Sequence, residues 1–188
     1  MQKKRFLIPL LIIFPIIALD QFVKIWIKNH LYLGEEINVF RNFFIIHFTE
    51  NNGFAFGYEL GGRFGKIILT SFRILAAGLI GYYLITMLKK AAPNGFLVAV
   101  SLIFVGAVGN IIDSIFYGVI FHYDTFFYGR VVDMLYFPII NTHYPQWFPL
   151  FGGNELIFFR PVFNISDSAI TVGVFSIIMF YSKFLKKL

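Results

Sequence analysis

Four apolar stretches of the sequence, each about 20 residues long, constrain the fold of this chain more than any other feature. They cover residues 6–27, 67–88, 96–117 and 165–183. A helix needs about 20 residues to cross the roughly 30 Å of hydrocarbon in a bilayer, so each stretch is predicted to be a transmembrane helix. With 26 phenylalanines among 188 residues, a water-soluble fold would expose aromatic surface widely. The sequence therefore predicts an α-helical membrane protein with four spans in a single domain, residues 1–188.

Lysine and arginine residues flank these stretches and do not form one continuous basic face. They cluster at residues 3–5, 89–90 and 183–187, which by the positive-inside rule puts both termini and the short turn at 91–94 in the cytoplasm. Residues 28–66 and 118–164 are then predicted to be extracytoplasmic. The net charge of +6 therefore does not indicate nucleic-acid binding. A cleaved signal peptide is the alternative for the first stretch, but apolar residues continue beyond Asp20 and no small-residue cleavage site follows.

Each predicted span carries an ionisable residue toward its extracytoplasmic end, namely Asp20, Arg73, Asp113 and Asp167. Counted from the cytoplasmic ends at about 1.5 Å per residue, all four lie roughly 21–26 Å deep, in one layer. A charge inside hydrocarbon costs about 2.5–3.5 kcal/mol, so it is kept where it pairs, meets water or takes part in chemistry. The spacing therefore predicts a polar site near the outer membrane boundary.

Helical spacing pairs polar side chains within this layer. Asp20 and Lys24 are four residues apart on one helix face, where an ion pair can form. Asn110 precedes Asp113 by three residues, and Asn164 precedes the fourth-span aspartate by the same interval. Each amide is therefore predicted to donate to the carboxyl group one turn later. The alternative, that these groups are only interhelical clamps, stays open for the first three spans.

Five short motifs occur in order along this four-span background. They are Asp20-Gln21-Phe22-Val23-Lys24, Asn51-Asn52-Gly53-Phe54-Ala55-Phe56, Gly106-Ala107-Val108-Gly109-Asn110-Ile111-Ile112-Asp113, Val131-Val132-Asp133 and Phe163-Asn164-Ile165-Ser166-Asp167-Ser168-Ala169. Together they resemble the motif set of lipoprotein signal peptidases (signal peptidase II), over nearly the whole chain. The resemblance implies an aspartic endopeptidase of the bacterial inner membrane. Such enzymes remove signal peptides from prolipoproteins, cutting before a diacylglyceryl-modified cysteine.

Carried over to this sequence, the resemblance makes Asp133 and Asp167 the catalytic pair. The positions that bind substrate or support the site are Asp20, Lys24, Asn51, Gly53, Gly106, Asn110, Asp113 and Asn164. The resemblance implies no cofactor and no metal, and it makes lipid-modified prolipoprotein signal peptides and membrane lipids the partners. The active site is expected toward the outer leaflet and periplasm, and the protein is expected to be a monomer.

The sequence departs from the family pattern at two places. Ser114 follows the third-span aspartate, where the family usually has arginine, and Arg130 is a candidate replacement only through its position in the sequence. The interval between Asp133 and Asp167 is also longer than is usual in the family. Its central part, residues 138–160, is rich in aromatic residues and proline and is predicted to be an interfacial loop. A role in gating substrate is a second hypothesis for this loop.

Two adjacent carboxyl groups suit peptide hydrolysis without a metal or a nucleophilic side chain. At ~4 Å and an effective dielectric constant near 20, the repulsion between two carboxylates is about 4 kcal/mol, so the pair shares a proton. One carboxylate can accept a proton from water while its protonated partner polarises the scissile carbonyl.

The first extracytoplasmic segment is predicted to form a small sheet lying on the membrane. Apolar and polar residues alternate imperfectly from 37 to 58, and residues 51–53 are a turn signal. Phe54, Phe56 and Tyr58 would then face lipid or an acylated substrate. A simple aromatic anchor at the interface is the alternative.

Other classes of function fit the sequence less well. An ion or proton translocator also carries charges inside its spans, but it needs polar access to both faces, and the inner halves of these spans are almost wholly apolar. A structural membrane protein would not require Asp133, a carboxylate in a segment predicted to be non-helical. The four histidines are scattered, and the His-Glu-x-x-His and Gly-x-Ser-x-Gly motifs of zinc and serine hydrolases do not occur. The chain has no cysteine, which excludes disulfides and thiol catalysis.

Overall fold

The computed structural model is a bundle of long apolar helices with a small β-sheet at one end. It describes residues 5–41, 43–52, 62–138, 140–143, 145–150, 152–158 and 161–186. Within these residues, four helices are long and apolar enough to cross a bilayer: α1 (Leu7–His30), α2 (Gly62–Lys89), α3 (Asn94–Ile120) and α4 (Ile165–Leu185). The four predicted spans are therefore confirmed.

The helices extend beyond the predicted spans mainly at their sheet-side ends. α2 begins at Gly62 and not at residue 67, and α3 continues to Ile120. The extensions carry polar residues such as Arg63 and Lys66. A helix satisfies its own backbone hydrogen bonds and long charged side chains reach polar surroundings, so hydropathy alone underestimates the helix length.

Six strands lie in the described segments between the helices: β1 (Glu36–Phe40), β2 (Phe44–Asn51), β3 (Val131–Tyr136), β4 (Ile140–His143), β5 (Glu155–Phe158) and β6 (Val162–Phe163). Strands β1, β2, β3 and β6 form an antiparallel sheet in that order, and β4 pairs with β5 in a separate hairpin. The predicted small sheet is confirmed, and the stretch predicted as an interfacial loop contains the β4–β5 hairpin.

The turn between β1 and β2 lies just after Phe40, where Arg41 has a φ of 47°. Asn51 ends β2, and the turn signal at residues 51–53 extends beyond the described residues. Gly53, Phe54, Phe56 and Tyr58 lie outside the described residues.

Helix α3 is the centre of the bundle and packs closely against α4. A Cβ atom placed on Gly106 would lie 2.2 Å from the carbonyl oxygen of Ser166, and one on Gly173 would lie 2.6 Å from that of Ala99. The backbones can approach this closely because glycine has no side chain at these crossings. This contact brings the polar residues of α3 next to the first turn of α4.

Two buried apolar clusters lie on either side of the polar layer. Phe96 belongs to the cluster at the end of the bundle away from the sheet, and Ile27 and Tyr117 belong to the cluster beside the sheet. Along α1 and α3, Asp20 and Asp113 fall between these clusters. The apolar packing on both sides holds the charged groups in place and separates them from lipid.

Candidate active site

Asp133 lies in the middle of β3, and 4% of its surface is exposed. Strand β2 pairs with β3 on one side, with Thr49 opposite Asp133. The Asn164 side chain donates from Nδ2 to Asp133 Oδ1 at 2.7 Å, and the Asn51 side chain forms a second hydrogen bond with this carboxyl group. Amides from β2 and from the residue before α4 therefore hold the Asp133 carboxyl in one orientation.

Asp167 lies in the first turn of α4 and is held by a capping box. Its backbone N–H donates to Asn164 Oδ1 at 2.9 Å, and its carboxyl group accepts from the Asn164 backbone N–H at 3.4 Å. Both N–H groups would otherwise lack a partner, since the first turn of a helix has none within the helix. Across the helix contact, Asn110 Nδ2 donates to Asp167 Oδ1 at 2.8 Å.

Two asparagine side chains connect the two acids. Asn164 Nδ2, which donates to Asp133, also donates to Asn110 Oδ1 at 3.1 Å, and Asn110 in turn donates to Asp167. A continuous chain of hydrogen bonds therefore runs from one carboxyl group to the other. The structure brings the two predicted acids, from a strand and from a helix, into one site.

The side-chain NH₂ groups of Asn110 and Asn164 do not donate to the carboxyl group one turn later, although Asn164 and Asp167 do hydrogen-bond through the capping box. Asn110 donates to Asp167 and not to Asp113, which is one turn along its own helix. Asn164 donates to Asp133 in β3, because capping turns its side-chain oxygen toward α4 and leaves its NH₂ group facing the sheet. Helical spacing identifies neighbours on the same helix, whereas these amides bond across elements.

The ionisation of Asp133 is shifted toward neutral pH. Burial, reinforced by the charge of Asp167, raises the pKa of Asp133 to about 7. The hydrogen bonds from Asn164 and Asn51 and the charge of Lys24 act in the opposite direction, because they favour the carboxylate. A carboxyl group with a pKa near 7 can hold or release a proton at the pH of the cell, as a general acid or base must.

A buried ion cluster lies directly behind the two acids. Lys24 Nζ is 2.9 Å from Asp20 Oδ2 and 2.8 Å from Asp113 Oδ2, and it donates to Asn110 Oδ1 at 3.1 Å. These three acceptors match the three protons of the ammonium group. The predicted pair of Asp20 and Lys24 is therefore confirmed, with Asp113 as a third member.

The ion cluster also fixes the surrounding elements. Asp20 Oδ1 accepts from the Ser166 backbone N–H at 2.9 Å, and Asp113 Oδ2 accepts from the Val132 backbone N–H at 3.3 Å. Helix α1 is thus tied to the start of α4, and α3 is tied to β3. Because Val132 and Ser166 each immediately precede a predicted catalytic residue, the cluster positions both acids.

Gln21 is a site residue that sequence reasoning missed. Its Nε2 donates to Asp113 Oδ1 at 2.9 Å and to Asp20 Oδ2 at 3.1 Å, and its Oε1 accepts from the Tyr117 hydroxyl at 3.0 Å. The amide therefore bridges the two carboxylates of the ion cluster. The available signal was its position directly after Asp20 in the first motif.

The two glycines predicted at the site have different outcomes. Gly106 lies at the crossing of α3 and α4, where the chain has no room for a side chain. Its contribution is to bring Asn110, one turn further along α3, within reach of Asp167. Gly53 lies outside the described residues.

The arginine near Ser114 is not the one suggested by the sequence. Arg130 Nη1 donates to Glu50 Oε2 at 3.1 Å, and the side chain is 47% exposed. Arg73 of α2 instead reaches the position, and its Nη1 donates to Ser114 Oγ at 3.2 Å. The guanidinium group beside Ser114 therefore comes from the second span.

The chemical groups assembled here are two linked acids, amide donors and a buried ion cluster. Among the described residues, no group of three or more histidine, cysteine, aspartate or glutamate side chains is placed to hold a metal ion. Two linked acids, one of which has a pKa raised to about 7, can remove a proton from water and return it to another atom.

Comparison with known proteins places this chain in a family. The family profile described as signal peptidase (SPase) II matches residues 12–183. A lipoprotein signal peptidase of Porphyromonas gingivalis is 44% identical over 184 residues, and the match covers 89% of this chain and 80% of that protein. A lipoprotein signal peptidase of Amoebophilus asiaticus is 37% identical over 172 residues, and the match covers 87% of this chain and 72% of that protein. A bacterial membrane enzyme structure solved by the in meso method at 2.3 Å resolution is 27% identical with a TM-score of 0.63, covering 98% of this chain and 88% of that one. This chain therefore belongs to the signal peptidase II family, bacterial membrane proteases that remove signal peptides from prolipoproteins.

Proposed function

We propose that this protease is an aspartic endopeptidase in which Asp133 and Asp167 activate the hydrolytic water. The observation that carries the proposal is the chain of hydrogen bonds through Asn164 and Asn110 that joins the buried Asp133 to the half-buried Asp167. The raised pKa of Asp133, about 7, supports a pair that shares one proton at neutral pH. The alternative of an ion-translocating or structural membrane protein is not favoured, because the family consists of proteases.

The first chemical step is the attack of water on the scissile carbonyl. The ionised member of the pair accepts a proton from the water as its oxygen bonds to the carbonyl carbon, and the protonated member donates its proton to the carbonyl oxygen. The product is a neutral tetrahedral diol. Each carboxyl group has exchanged its protonation state with the other, so the pair still carries one proton.

The second step breaks the peptide bond. The carboxyl group that took the proton from water gives it to the leaving nitrogen as the carbon–nitrogen bond breaks. The other carboxylate takes a proton back from one hydroxyl of the diol as the new carboxylic acid forms. The pair returns to its starting state, and no covalent enzyme intermediate is needed. We assign no fixed starting protonation to either acid, because a coupled pair titrates as a unit.

The supporting residues hold this pair in position and do not themselves react. The ion cluster of Asp20, Lys24 and Asp113 fixes the backbone beside each acid. Asn51 and Asn164 orient Asp133, and Asn110 orients Asp167. Gly106 permits the helix contact on which these distances depend.

The enzyme acts in the bacterial inner membrane, with both termini in the cytoplasm and the active site toward the outer leaflet. The basic residues at the ends of the helices support this orientation through the positive-inside rule. Asp167 lies in the first turn of α4 and Asp133 in the adjoining sheet, so the site lies at the sheet-side end of the bundle. The substrate is a prolipoprotein with a diacylglyceryl-modified cysteine, whose acyl chains remain in the surrounding lipid while the peptide enters the site. The enzyme acts as a monomer.

Cleavage of a lipidated prolipoprotein precursor by purified variants tests the proposal. Asp133→Asn and Asp167→Asn keep the size and much of the hydrogen bonding of each residue but remove the titrating group. Each variant should lose turnover while remaining folded in detergent, and mass spectrometry should locate the wild-type cut before the modified cysteine. A non-lipidated precursor should be cut more slowly by the wild-type enzyme.

Asp124→Asn is the matched control for these variants. Asp124 is an extracytoplasmic aspartate that pairs with Arg63 at 3.1 Å and lies outside the hydrogen-bonded site. This control should retain wild-type turnover. Retained turnover in Asp133→Asn or Asp167→Asn would remove that residue from the catalytic pair.

A further inference from the structure

We propose that Arg73 supplies, from the second span, the cation that holds the Asp133–Asp167 pair in its singly ionised form. It would do so in place of the arginine that the family usually carries at the position of Ser114. This inference rests on the proposed catalytic role of the two acids. Arg73 is a positioning residue in this account, since it acts through the pair.

The position of Arg73 is set by its helix and its contact with α3. It lies near the middle of α2, eleven residues after Gly62, at a depth where a charged side chain must face the interior of the bundle. Its Nη1 donates to Ser114 Oγ at 3.2 Å, and Ser114 Oγ donates to the Asn110 carbonyl oxygen at 2.9 Å. The guanidinium group thus occupies the space beside residue 114, next to the asparagine that holds Asp167.

The charges facing Arg73 distinguish it from a simple interhelical clamp. Among the carboxyl groups, it interacts most strongly with Asp167, then with Asp133 and then with Asp113. The charges of the proposed pair therefore act on Arg73 more strongly than the charge of Asp113, although Asp113 immediately precedes Ser114 in the chain. A guanidinium group that served only to join α2 to α3 would not need to interact with both acids of the pair.

Lys24, the fully buried cation behind the pair, faces two other carboxylates. Lys24 lies within 2.9 Å of both Asp20 and Asp113, so one positive charge faces two carboxylates before the catalytic pair is counted. Arg73 adds the second positive charge beside these four acids. Because a carboxylate in a buried site is favoured by a nearby opposite charge, Arg73 stabilises the ionised member of the pair.

The remaining charged groups around Arg73 do not replace it. Lys66, one further cation on α2, donates to the Asn52 carbonyl oxygen at 2.7 Å and interacts with Arg73 by repulsion. Arg130, which immediately precedes β3, is paired with Glu50 of β2. From β2, the group that reaches Asp133 is the neutral Asn51. Arg73 is therefore the arginine whose charge is directed at the pair.

The pH dependence of turnover separates this role from a structural one. Arg73→Gln keeps a donor for Ser114 but removes the charge. It should lower kcat by about 10²-fold, the usual effect of losing one electrostatic contact at a reacting centre. The acid limb of its kcat profile should move about one pH unit upward, because losing a nearby cation makes the pair harder to ionise. Arg73→Lys keeps the charge and should keep the limb at its wild-type position.

A charge-relocation variant tests the replacement directly. Arg73→Ser combined with Ser114→Arg exchanges the two side chains and returns the guanidinium group to the usual family position. This double variant should regain the turnover and the acid limb that Arg73→Ser alone loses. Arg63→Gln is the matched control, because Arg63 lies on the same helix but is 65% exposed and paired with Asp124. Its profile should match that of the wild type.

Two outcomes would overturn the inference. One is an Arg73→Gln enzyme with a lower melting temperature but an unmoved acid limb, which would identify a clamp. The other is a folded double variant that stays as impaired as Arg73→Ser. Failure of the proposed function is distinguishable from both, since it appears as turnover in Asp133→Asn or Asp167→Asn whatever Arg73 does.

Discussion

Asp133→Asn is expected to stabilise the protein at high pH while abolishing its activity. An aspartate in an unfolded chain has a pKa of 3.8, and burial beside Asp167 raises the pKa of Asp133 to about 7 in the folded protein. The folded state therefore holds this proton more tightly than the unfolded state. The stability that comes from protonated Asp133 is present below pH 4 and is lost as the pH rises toward 7. Asparagine cannot ionise, so the variant does not lose this stability.

The size of the effect follows from the difference between the two pKa values. At 1.36 kcal/mol per pH unit, the interval from 3.8 to about 7 corresponds to an upper limit of about 4 kcal/mol above neutral pH. Part of this loss has already occurred at pH 5. The advantage of the variant over the wild type should therefore grow by about 2–3 kcal/mol between pH 5 and pH 8.

Thermal unfolding of both proteins in the same detergent at pH 5 and pH 8 measures this change. Asp124→Asn is a control of opposite sign, because a hydrogen bond from the Thr125 backbone N–H lowers the pKa of Asp124. That substitution should reduce stability at pH 8. If the stability difference between Asp133→Asn and the wild type is the same at pH 5 and pH 8, the claim that burial raises the pKa of Asp133 is refuted.

Two further substitutions test the packing and the charges that support the site. Lys24→Met leaves two buried carboxylates without their cation and should destabilise the protein by about 3–5 kcal/mol. This loss should be visible as less folded protein in detergent, and an unchanged melting temperature would contradict the ion-cluster assignment. Gly106→Ala should separate α3 from α4 and lower both the melting temperature and turnover, because the new methyl group would meet the Ser166 carbonyl oxygen at 2.2 Å. Gly78→Ala, where the added group has nothing within 4 Å, is its control and should be neutral or slightly stabilising.

The layer of charged residues could be predicted because two simple physical rules govern it. Hydropathy marks the spans, and the constant rise of a helix converts residue counts into depth. The contacts of Asp20 with Lys24, of Lys24 with Asp113 and of Asn110 with Asp167 confirm that residues from three spans meet in one layer.

The partners within that layer could not be predicted from spacing. Asn110 and Asn164 bond across elements, and which elements touch depends on glycine contacts between α3 and α4 and on the position of β3. Gln21 was missed for the same reason, since its acceptors include Asp113 on another helix. The same-helix interval of three or four residues carries no information about such contacts.

In the segments between the helices, the sequence predicted a sheet but not the positions of all its turns and strands. The β-forming pattern before residue 51 indicated a sheet but did not locate the turn after Phe40, where Arg41 has a positive φ. The aromatic stretch between β3 and β6 was expected to be a loop, whereas Ile140–His143 pairs with Glu155–Phe158 across residues 144–154. Strand pairing of this kind is set by tertiary context more than by local preference.

The central claim is that two carboxyl groups hold one proton between them during hydrolysis, and the pH profile of wild-type kcat tests it most directly. Only the singly protonated pair supplies both a base and an acid. The rate should therefore rise with one ionisation, pass through a maximum and fall with a second. A rate that climbs through a single ionisation and then stays level to high pH would contradict the shared proton and the mechanism built on it.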